Sequence, residues 1–392
     1  MKRTLITLML IAFCSVNMLW AQEKQEEKKF STVVDIPTTT VKNQQSTGTC
    51  WCYAGISYIE TELLRLGAPE IDLSEMYIVR LAYTQKAKRY FRVHGKGNYS
   101  EGGQAHDVLN VVKENGFVPE VVYSGNRYGS DFHIHKEMVQ STKSMLDEII
   151  KNPNRVITPV WEESVNGVLD TYMGKTPKTF TYEGTEITPA AYAEKLGFNT
   201  EDYIEITSYN HHPFYEKVNL EIPDNWSDDL YYNIPMDEMM DVINYALNNG
   251  FSVCWDGDVS EKGFSHRNGY AVLPASKTAD MTDSEIAKWE KDVKKAEKKV
   301  SQKGKEPEVD QALRQLTFDN FETTDDHLMH LTGIVKDQNG TIYYKTKNSW
   351  AENSNKFGGY LNMSEAYVKL KTVAIMVHKD AIPKEVKRKL GL

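Results

Sequence analysis

Residues 43–66, NQQSTGTCWCYAGISYIETELLRL, join a polar turn to an apolar-periodic run that opens at Cys50. Tyr53, Ala54, Ile56, Ile59, Leu63 and Leu66 recur at roughly helical spacing and Gly67 follows as a stop, so the run is expected to be a helix with Cys50 in its first turn. In that place unpaired backbone N–H groups and the positive helix end favour an anion. The thiol is therefore expected to have a lowered pKa and a raised thiolate fraction, which makes Cys50 the candidate nucleophile. Cys52, two residues on, turns away from Cys50 on a helix and reads as a small core residue, not as half of a metal or redox pair.

The chain of 392 residues is 40% hydrophobic and 11% aromatic, ample for one large or two ordinary domains with a core of their own. Its net charge of −9 argues against nucleic acid as a partner, because a phosphate-binding surface needs an excess of Lys and Arg. Lys2 and Arg3, an apolar stretch from Leu5 to Trp20 and then Ala21 predict a secretory signal peptide over residues 1–21, cut near Ala21. The expected location is exported, periplasmic or extracellular, with no membrane association after cleavage. Phe13 before Cys14 does not suit a lipid-anchored cysteine. Cleavage would leave Cys50, Cys52 and Cys254, too few for a disulfide framework and odd enough to leave a free thiol.

Residues 22–42 read as a leader, with a charged, disordered stretch from Gln22 to Lys29 and extended chain from Val33 to Val41 entering the site. Ser74 is placed to cap a second helix. Gly102 and Gly103 form a turn before a helix over Asp107–Asn115, closed by Gly116; as a backbone edge, they are where a substrate chain could approach. Between about 128 and 325 a helix is expected over Ser141–Lys151, a strand over Lys178–Tyr182, and a short helix from Thr188 with Pro189 in its first turn. An amphipathic helix over Met236–Gly250 and a strand over Phe251–Asp256 follow. Thr282 to Glu285 form a capping-box pattern opening a charged helix that reaches Val300.

His327 precedes a tract that alternates as two strands about Asn339 and Gly340 and ends at Asn348, Ser349 and Trp350. Together with Cys50 these residues form an ordered set that suits a cysteine peptidase. His327 would pair with the thiol, Asn348 would hold the imidazole, Trp350 would cover that bond from water, and Gln44 would aim its amide at the same oxygen as the Cys50 backbone N–H. His211, His212 and His330 are expected to be structural or solvent-exposed, with no carboxylate or thiol completing a metal site around them; neither a metal nor another cofactor is expected.

These residues resemble the papain superfamily of cysteine peptidases and, within it, the bleomycin hydrolase or aminopeptidase C group. NQQSTGTCWCYA is similar to that group's nucleophile segment, GGQ at Gly102–Gln104 and DVLNVVKENGFVP to its glycine-edge segment, and RQLTFDNFETTDDHLM and KNSW to its histidine and asparagine segments. The separation of Cys50 from His327 far exceeds the roughly 130 to 150 residues of short papain-like enzymes, as large insertions between the catalytic halves would require. The resemblance implies an α+β, two-lobed papain-like fold over residues 43–392, with inserted segments at about 128–325. A helical lobe would carry Cys50 and a β-rich lobe His327 and Asn348. It further implies peptide substrates bound partly along Gly102 and Gly103, aminopeptidase activity and a hexameric homo-oligomer.

Thr47 and Ala351 depart from the group's serine and glycine, and the helix over Ser284–Val300 is longer than the group suggests, as a lid or an altered oligomer contact would require. In that group a C-terminal arm restricts cleavage to amino ends; here the likeness runs through Ile382 to Val386, and the closing KRKLGL is short and basic, so looser exclusion of internal bonds is expected. An endopeptidase with an open cleft, acyl transfer by the same Cys/His pair, and a peptide-binding protein without catalysis stay open as alternatives. The joint presence of Gln44, Cys50, His327 and Asn348 disfavours the last.

Overall fold

The structure is a computed structural model that describes residues 28–129, 131–153, 156–274 and 306–392. The signal peptide expected over residues 1–21 and the helix expected over Ser284–Val300 lie outside the described residues. One lobe is built from helices α1 (Cys50–Arg65), α2 (Glu75–Arg92), α3 (Ala105–Asn115), α4 (Lys136–Ile150), α5 (Trp161–Met173) and α6 (Pro189–Lys195). Every residue of α1 from Cys50 to Leu63 is buried, so this helix is wrapped on all sides, and its polar positions Ser57, Glu60 and Glu62 must find partners inside the protein. Its apolar positions Ile56, Ile59 and Leu63 pack with residues of α2 and α3 and with Cys254, Leu328 and Met376 of the other lobe.

The expected caps hold. Ser74 Oγ accepts the Tyr77 N–H at 3.1 Å at the start of α2, and Thr188 Oγ1 accepts the Ala191 N–H at 3.2 Å at the start of α6, where Pro189 occupies the first turn. Gly116 ends α3 at φ 75°, and a Cβ there would lie 2.2 Å from the Pro189 backbone; only glycine lets α3 stop against α6.

The second lobe is a mixed sheet. The chain enters as β1 (Phe30–Asp35), and a hairpin of β2 (Phe180–Tyr182) and β3 (Thr185–Ile187) then lies beside the helical lobe. There follow β4 (Tyr203–Thr207), β5 (Lys217–Asn219), β6 (Leu230–Asn233), β7 (Val253–Gly257), β8 (Phe264–Ser265) and β9 (Tyr270–Ala271). The last four are β10 (His327–Asp337), β11 (Ile342–Lys347), β12 (Tyr360–Ser364) and β13 (Thr372–His378). The sheet order is β5-β6-β4-β13-β7-β10-β11-β12-β9-β8, with β1 added along β10. Helices α7 (Met236–Asn248), α8 (Gln311–Asp319), α9 (Glu365–Lys371) and α10 (Lys384–Leu390) complete the lobe. Met239, Ile243 and Leu247 of α7 share a core with Val253, Trp255, Met329 and Ile375 of the sheet.

The extended stretch expected from Val33 therefore begins earlier, at Phe30, as a strand paired with the histidine-bearing β10. The sheet also draws β4, β6 and β7 from the region between about 128 and 325. Among the described residues no helix is long and apolar enough to cross a membrane.

Candidate active site

Cys50 is the first residue of α1, so its N–H has no acceptor within the helix. The turn before it is held from both lobes. The Gln44 N–H donates to the Ser349 carbonyl at 2.8 Å, and Ser349 Oγ donates to Gln44 Oε1 at 2.6 Å. Gln44 Nε2 gives one hydrogen to the Thr47 carbonyl at 2.8 Å and keeps the second for a ligand in the cleft. The Gly48 N–H donates to Glu101 Oε2 at 2.7 Å, and the Trp51 indole to the Glu101 carbonyl at 3.0 Å, which ties the turn to the glycine edge.

His327 opens β10, and Asn348 follows the last residue of β11, the strand paired with it, so the hairpin brings the two side chains together. His327 Nε2 and Asn348 Oδ1 lie 2.8 Å apart; with Nε2 as the donor, Nδ1 is the nitrogen left for the thiol. The Asn348 oxygen is fixed further by the Ser349 N–H at 2.7 Å. The Trp350 ring lies 5.0 Å from the His327 ring at 33°, where it covers the His–Asn bond. His266, which the sequence gave no reason to single out, stands 3.2 Å from Asn348 Nδ2 through Nδ1 and 4.9 Å from Trp350, ring to ring.

Gln44, Cys50, Gly102, Asp224, Asp326 and His327 are among the residues lining one cleft of about 530 Å³. Of the residues singled out from the sequence, Gln44, Cys50, Gly102 and His327 thus meet in one cleft, with Asn348 and Trp350 set against His327. Gly102 and Gly103 are glycines for steric reasons: a Cβ on Gly102 would sit 1.9 Å from Asp224 Oδ2, and one on Gly103 would meet the Trp51 ring at 3.0 Å.

The electrostatics correct one expectation. Burial pushes the Cys50 thiol up to about 12, a rise that Asp224, Asp325 and Asp256 add to and the Leu328 backbone partly opposes. Burial likewise lowers His327 to about 4, against the pull of its Asn348 bond. Loss of water outweighs the helix end, so burial favours the neutral form of each group. The carboxylates responsible were not foreseen. Asp256 belongs to the fully buried β7, and Asp325 lies in the turn before His327 with Gln104 Nε2 donating to it at 2.9 Å.

Cys52 is wholly buried, with its sulfur donating to the Glu75 carbonyl at 3.2 Å, and Cys50, Cys52 and Cys254 are all free thiols. His330 is buried, with Nδ1 3.0 Å from Ser57 Oγ, a structural position. For His211 and His212 the expectation needs correcting. The chain folds Glu221 back so that its Oε2 lies 3.1 and 2.9 Å from their Nε2 atoms, the one such three-ligand group among the described residues. Sequence spacing gave no hint of that fold-back.

The model of the Peptidase C1-like family matches residues 13–391, and the chain belongs to that family of cysteine peptidases. Aminopeptidase C of Streptococcus thermophilus is 22% identical over 93% of this chain and 86% of its own length. Mitochondrial cysteine proteinase 1 of Saccharomyces cerevisiae (strain JAY291) is 21% identical over 94% of this chain and 80% of its own. The crystal structure of PepW from Lactobacillus rhamnosis HN001 superposes with a TM-score of 0.69 at 17% identity, covering 92% of this chain and 84% of that one. The fold is the papain-like α+β arrangement, in two lobes with the cleft between them.

Proposed function

We propose that the protein is a cysteine aminopeptidase in which Cys50 is the nucleophile, His327 the general base and acid, Asn348 the residue that orients the imidazole, and Gln44 an oxyanion donor. Cys50 Sγ attacks the carbonyl carbon of a peptide bond while its proton passes to His327 Nδ1. The negative oxygen is received by the spare Gln44 N–H and the Cys50 backbone N–H. His327 gives the proton to the departing amine, and water, deprotonated by the same imidazole, then releases the acid and restores the thiol. Gly102 and Gly103 offer the substrate a bare backbone edge, and Trp350 shields the His–Asn bond. The names of the relatives support the aminopeptidase reading.

The observation that carries this reading is the 2.8 Å contact of His327 Nε2 with Asn348 Oδ1, which leaves Nδ1 for the thiol in the same cleft. Cys50→Ala should abolish hydrolysis of a fluorogenic aminoacyl amide and labelling by a thiol-directed epoxide, whereas Cys52→Ala should keep most activity. His327→Ala should be nearly as damaging as Cys50→Ala, and Asn348→Ala milder because it only orients the ring. Full activity in Cys50→Ala would end the assignment.

The same reading includes export after cleavage near Ala21, supported by the basic, apolar and small-residue order of residues 1–21. It includes a homo-oligomer as well, supported by the family resemblance alone. N-terminal sequencing of the exported protein and its sedimentation coefficient test these points; an uncut N-terminus or a monomeric coefficient removes the corresponding one.

A further inference from the structure

Away from the catalytic residues the chain brings two imidazoles and a carboxylate together. His211 Nε2 and His212 Nε2 lie 3.1 and 2.9 Å from the same oxygen, Oε2 of Glu221. The fold holds both sides of this contact. Leu220 and Ile222 are buried in one core with Tyr209, and the Ile222 N–H closes back on the Leu220 carbonyl at 2.9 Å, so Glu221 is the exposed tip of a tight turn. Asn233, fully buried at the end of β6, accepts the Tyr209 N–H at 2.8 Å and donates to the carbonyls of Tyr209 at 2.8 Å and His212 at 3.1 Å. The backbone around the histidine pair is thereby fixed.

The His211 ring is held as well. It stacks at 11° on the Phe318 ring of α8, with centroids 5.7 Å apart, and its Nδ1 faces the Gln315 amide nitrogen at 2.9 Å. An ion pair between Glu221 and one imidazole would need neither the second ring nor that partner; a metal ion uses both. Two ligands of a tetrahedral ion at ~2.0–2.1 Å must stand about 3.3 Å apart, so the observed separations need to open by only a few tenths of an ångström. All three ligand atoms lie within 4.8 Å of one another. Imidazole nitrogens select zinc and its neighbours in the first transition row over calcium or magnesium. The three side chains are partly exposed, so water can complete the coordination.

We propose that His211, His212 and Glu221 bind a divalent ion of the zinc class through both Nε2 atoms and the carboxylate, and that this ion clips the loop after β4 to the Glu221 turn and to α8. A neutral imidazole that ligates through Nε2 carries its proton on Nδ1. With the Gln315 amide donating to Nδ1, the His211 proton sits on Nε2 and goes to Glu221; loading moves it to Nδ1, and Gln315 turns its amide oxygen to receive it. That oxygen accepts the N–H of Asn210 at 2.5 Å in the metal-free arrangement, and Asn210 is exposed, so water can take its place there. Asp224, three residues after Glu221, accepts from Asn98 Nδ2 at 2.7 Å and lines the cleft. The clip therefore steadies one wall of the cleft from outside.

The test uses the full chain, stripped with a chelator and carrying Cys50→Ala so that the cleft thiol cannot compete for metal. It is titrated with zinc chloride by calorimetry, and its melting temperature is followed with and without zinc. One zinc per chain and a raised melting temperature are expected. His212→Ala or Glu221→Gln added to this background should weaken binding about hundredfold or more and abolish the shift. Gln315→Ala should weaken binding about tenfold or more, the scale of losing an outer-shell partner. Undiminished binding in any of the three overturns the proposal. So do half-saturation only at millimolar zinc, which is adventitious surface binding, and saturable binding that leaves the melting temperature unmoved. If the variants fail to fold, cobalt(II) added to the Cys50→Ala protein decides. A tetrahedral or five-coordinate visible spectrum from nitrogen and oxygen donors supports the site; a sulfur-to-cobalt charge-transfer band, or the pale spectrum of the free aquo ion, overturns it. None of these readouts involves peptide hydrolysis, so the clip and the peptidase reading stand or fall separately.

Discussion

Cys50 stands between opposed influences. The helix end favours a thiolate, while burial and three carboxylates hold the thiol up to about 12; His327, short of water, is lowered to about 4. Between those values the pair is neutral, so the fraction of thiolate grows only as the pH climbs toward the thiol's own value. Alkylation of the resting enzyme by iodoacetamide should accordingly keep rising through the alkaline range, and peptide hydrolysis should lose its base only as pH falls to about 4. An alkylation rate that is flat and high between about pH 5 and 8 would instead mean a preformed ion pair and refute this. Gln44 depends on Ser349, whose hydroxyl is the donor on Oε1. Ser349→Ala should cut kcat by about tenfold and leave KM nearly unchanged, less than the roughly hundredfold or more of deleting an oxyanion donor. A change in KM alone would place Gln44 in ground-state binding.

The elements that carry the histidine are braced from behind. Lys371, the last residue of α9, pairs at 3.0 Å with Asp258 just past β7, both fully buried, and Asp258 also accepts the Thr324 N–H at 3.4 Å, in the turn that leads to His327. Lys371→Met would leave Asp258 charged without its cation, costing about 3 to 5 kcal/mol. The expected outcome is a lower melting temperature with impaired turnover; an unchanged melting temperature would contradict it. Nothing in the sequence announced this pair, because its partners come from separate elements and their burial is a tertiary fact. What was legible was local: Ser74 and Thr188 as caps, the hairpin about Asn339 and Gly340, the amphipathic α7, and the Cys50 helix ended by Gly67 at φ 90°. The ordered set of Gln44, Cys50, His327 and Asn348 was legible through its resemblance to a known arrangement. Asp256 was not, because in a strand buried on both faces an acid reads as an interruption until its neighbours are known. His211, His212 and Glu221 escaped for a like reason: the contact depends on how the chain turns back between β4 and β6.

At the scale of the whole molecule, catalysis needs two lobes to stay in register, since Cys50 and His327 come from opposite sides of the cleft. Glu60, in the middle of the Cys50 helix, is a polar bolt between them. Its carboxylate accepts from Thr39 Oγ1 at 2.5 Å, Lys42 Nζ at 3.1 Å and the Leu73 N–H at 2.9 Å, and Thr39 in turn accepts from Lys347 Nζ of β11 at 3.1 Å. Burial lowers Lys347 to about 8 against the opposing pull of Glu60. The sign follows from proton binding. Between about 8 in the folded state and the usual lysine value near 10.4, the unfolded chain holds more protons, so stability gained through this group rises with pH and is lost as pH falls through about 8. Glu60→Gln keeps the shape but removes the charge that supports the Lys347 ammonium, which extends the costly window to lower pH. The variant should therefore be destabilised more near pH 7 than at about pH 9.5, with a total loss of about 1.5 to 3 kcal/mol near neutrality, the scale of a hydrogen bond to a charged group. Denaturant midpoints at the two pH values measure this, with kcat on the folded population expected to be nearly unchanged. A loss of kcat with an unaltered midpoint would place Glu60 in the chemistry and not in the joint; an equal loss of stability at both pH values would remove Lys347 from the account.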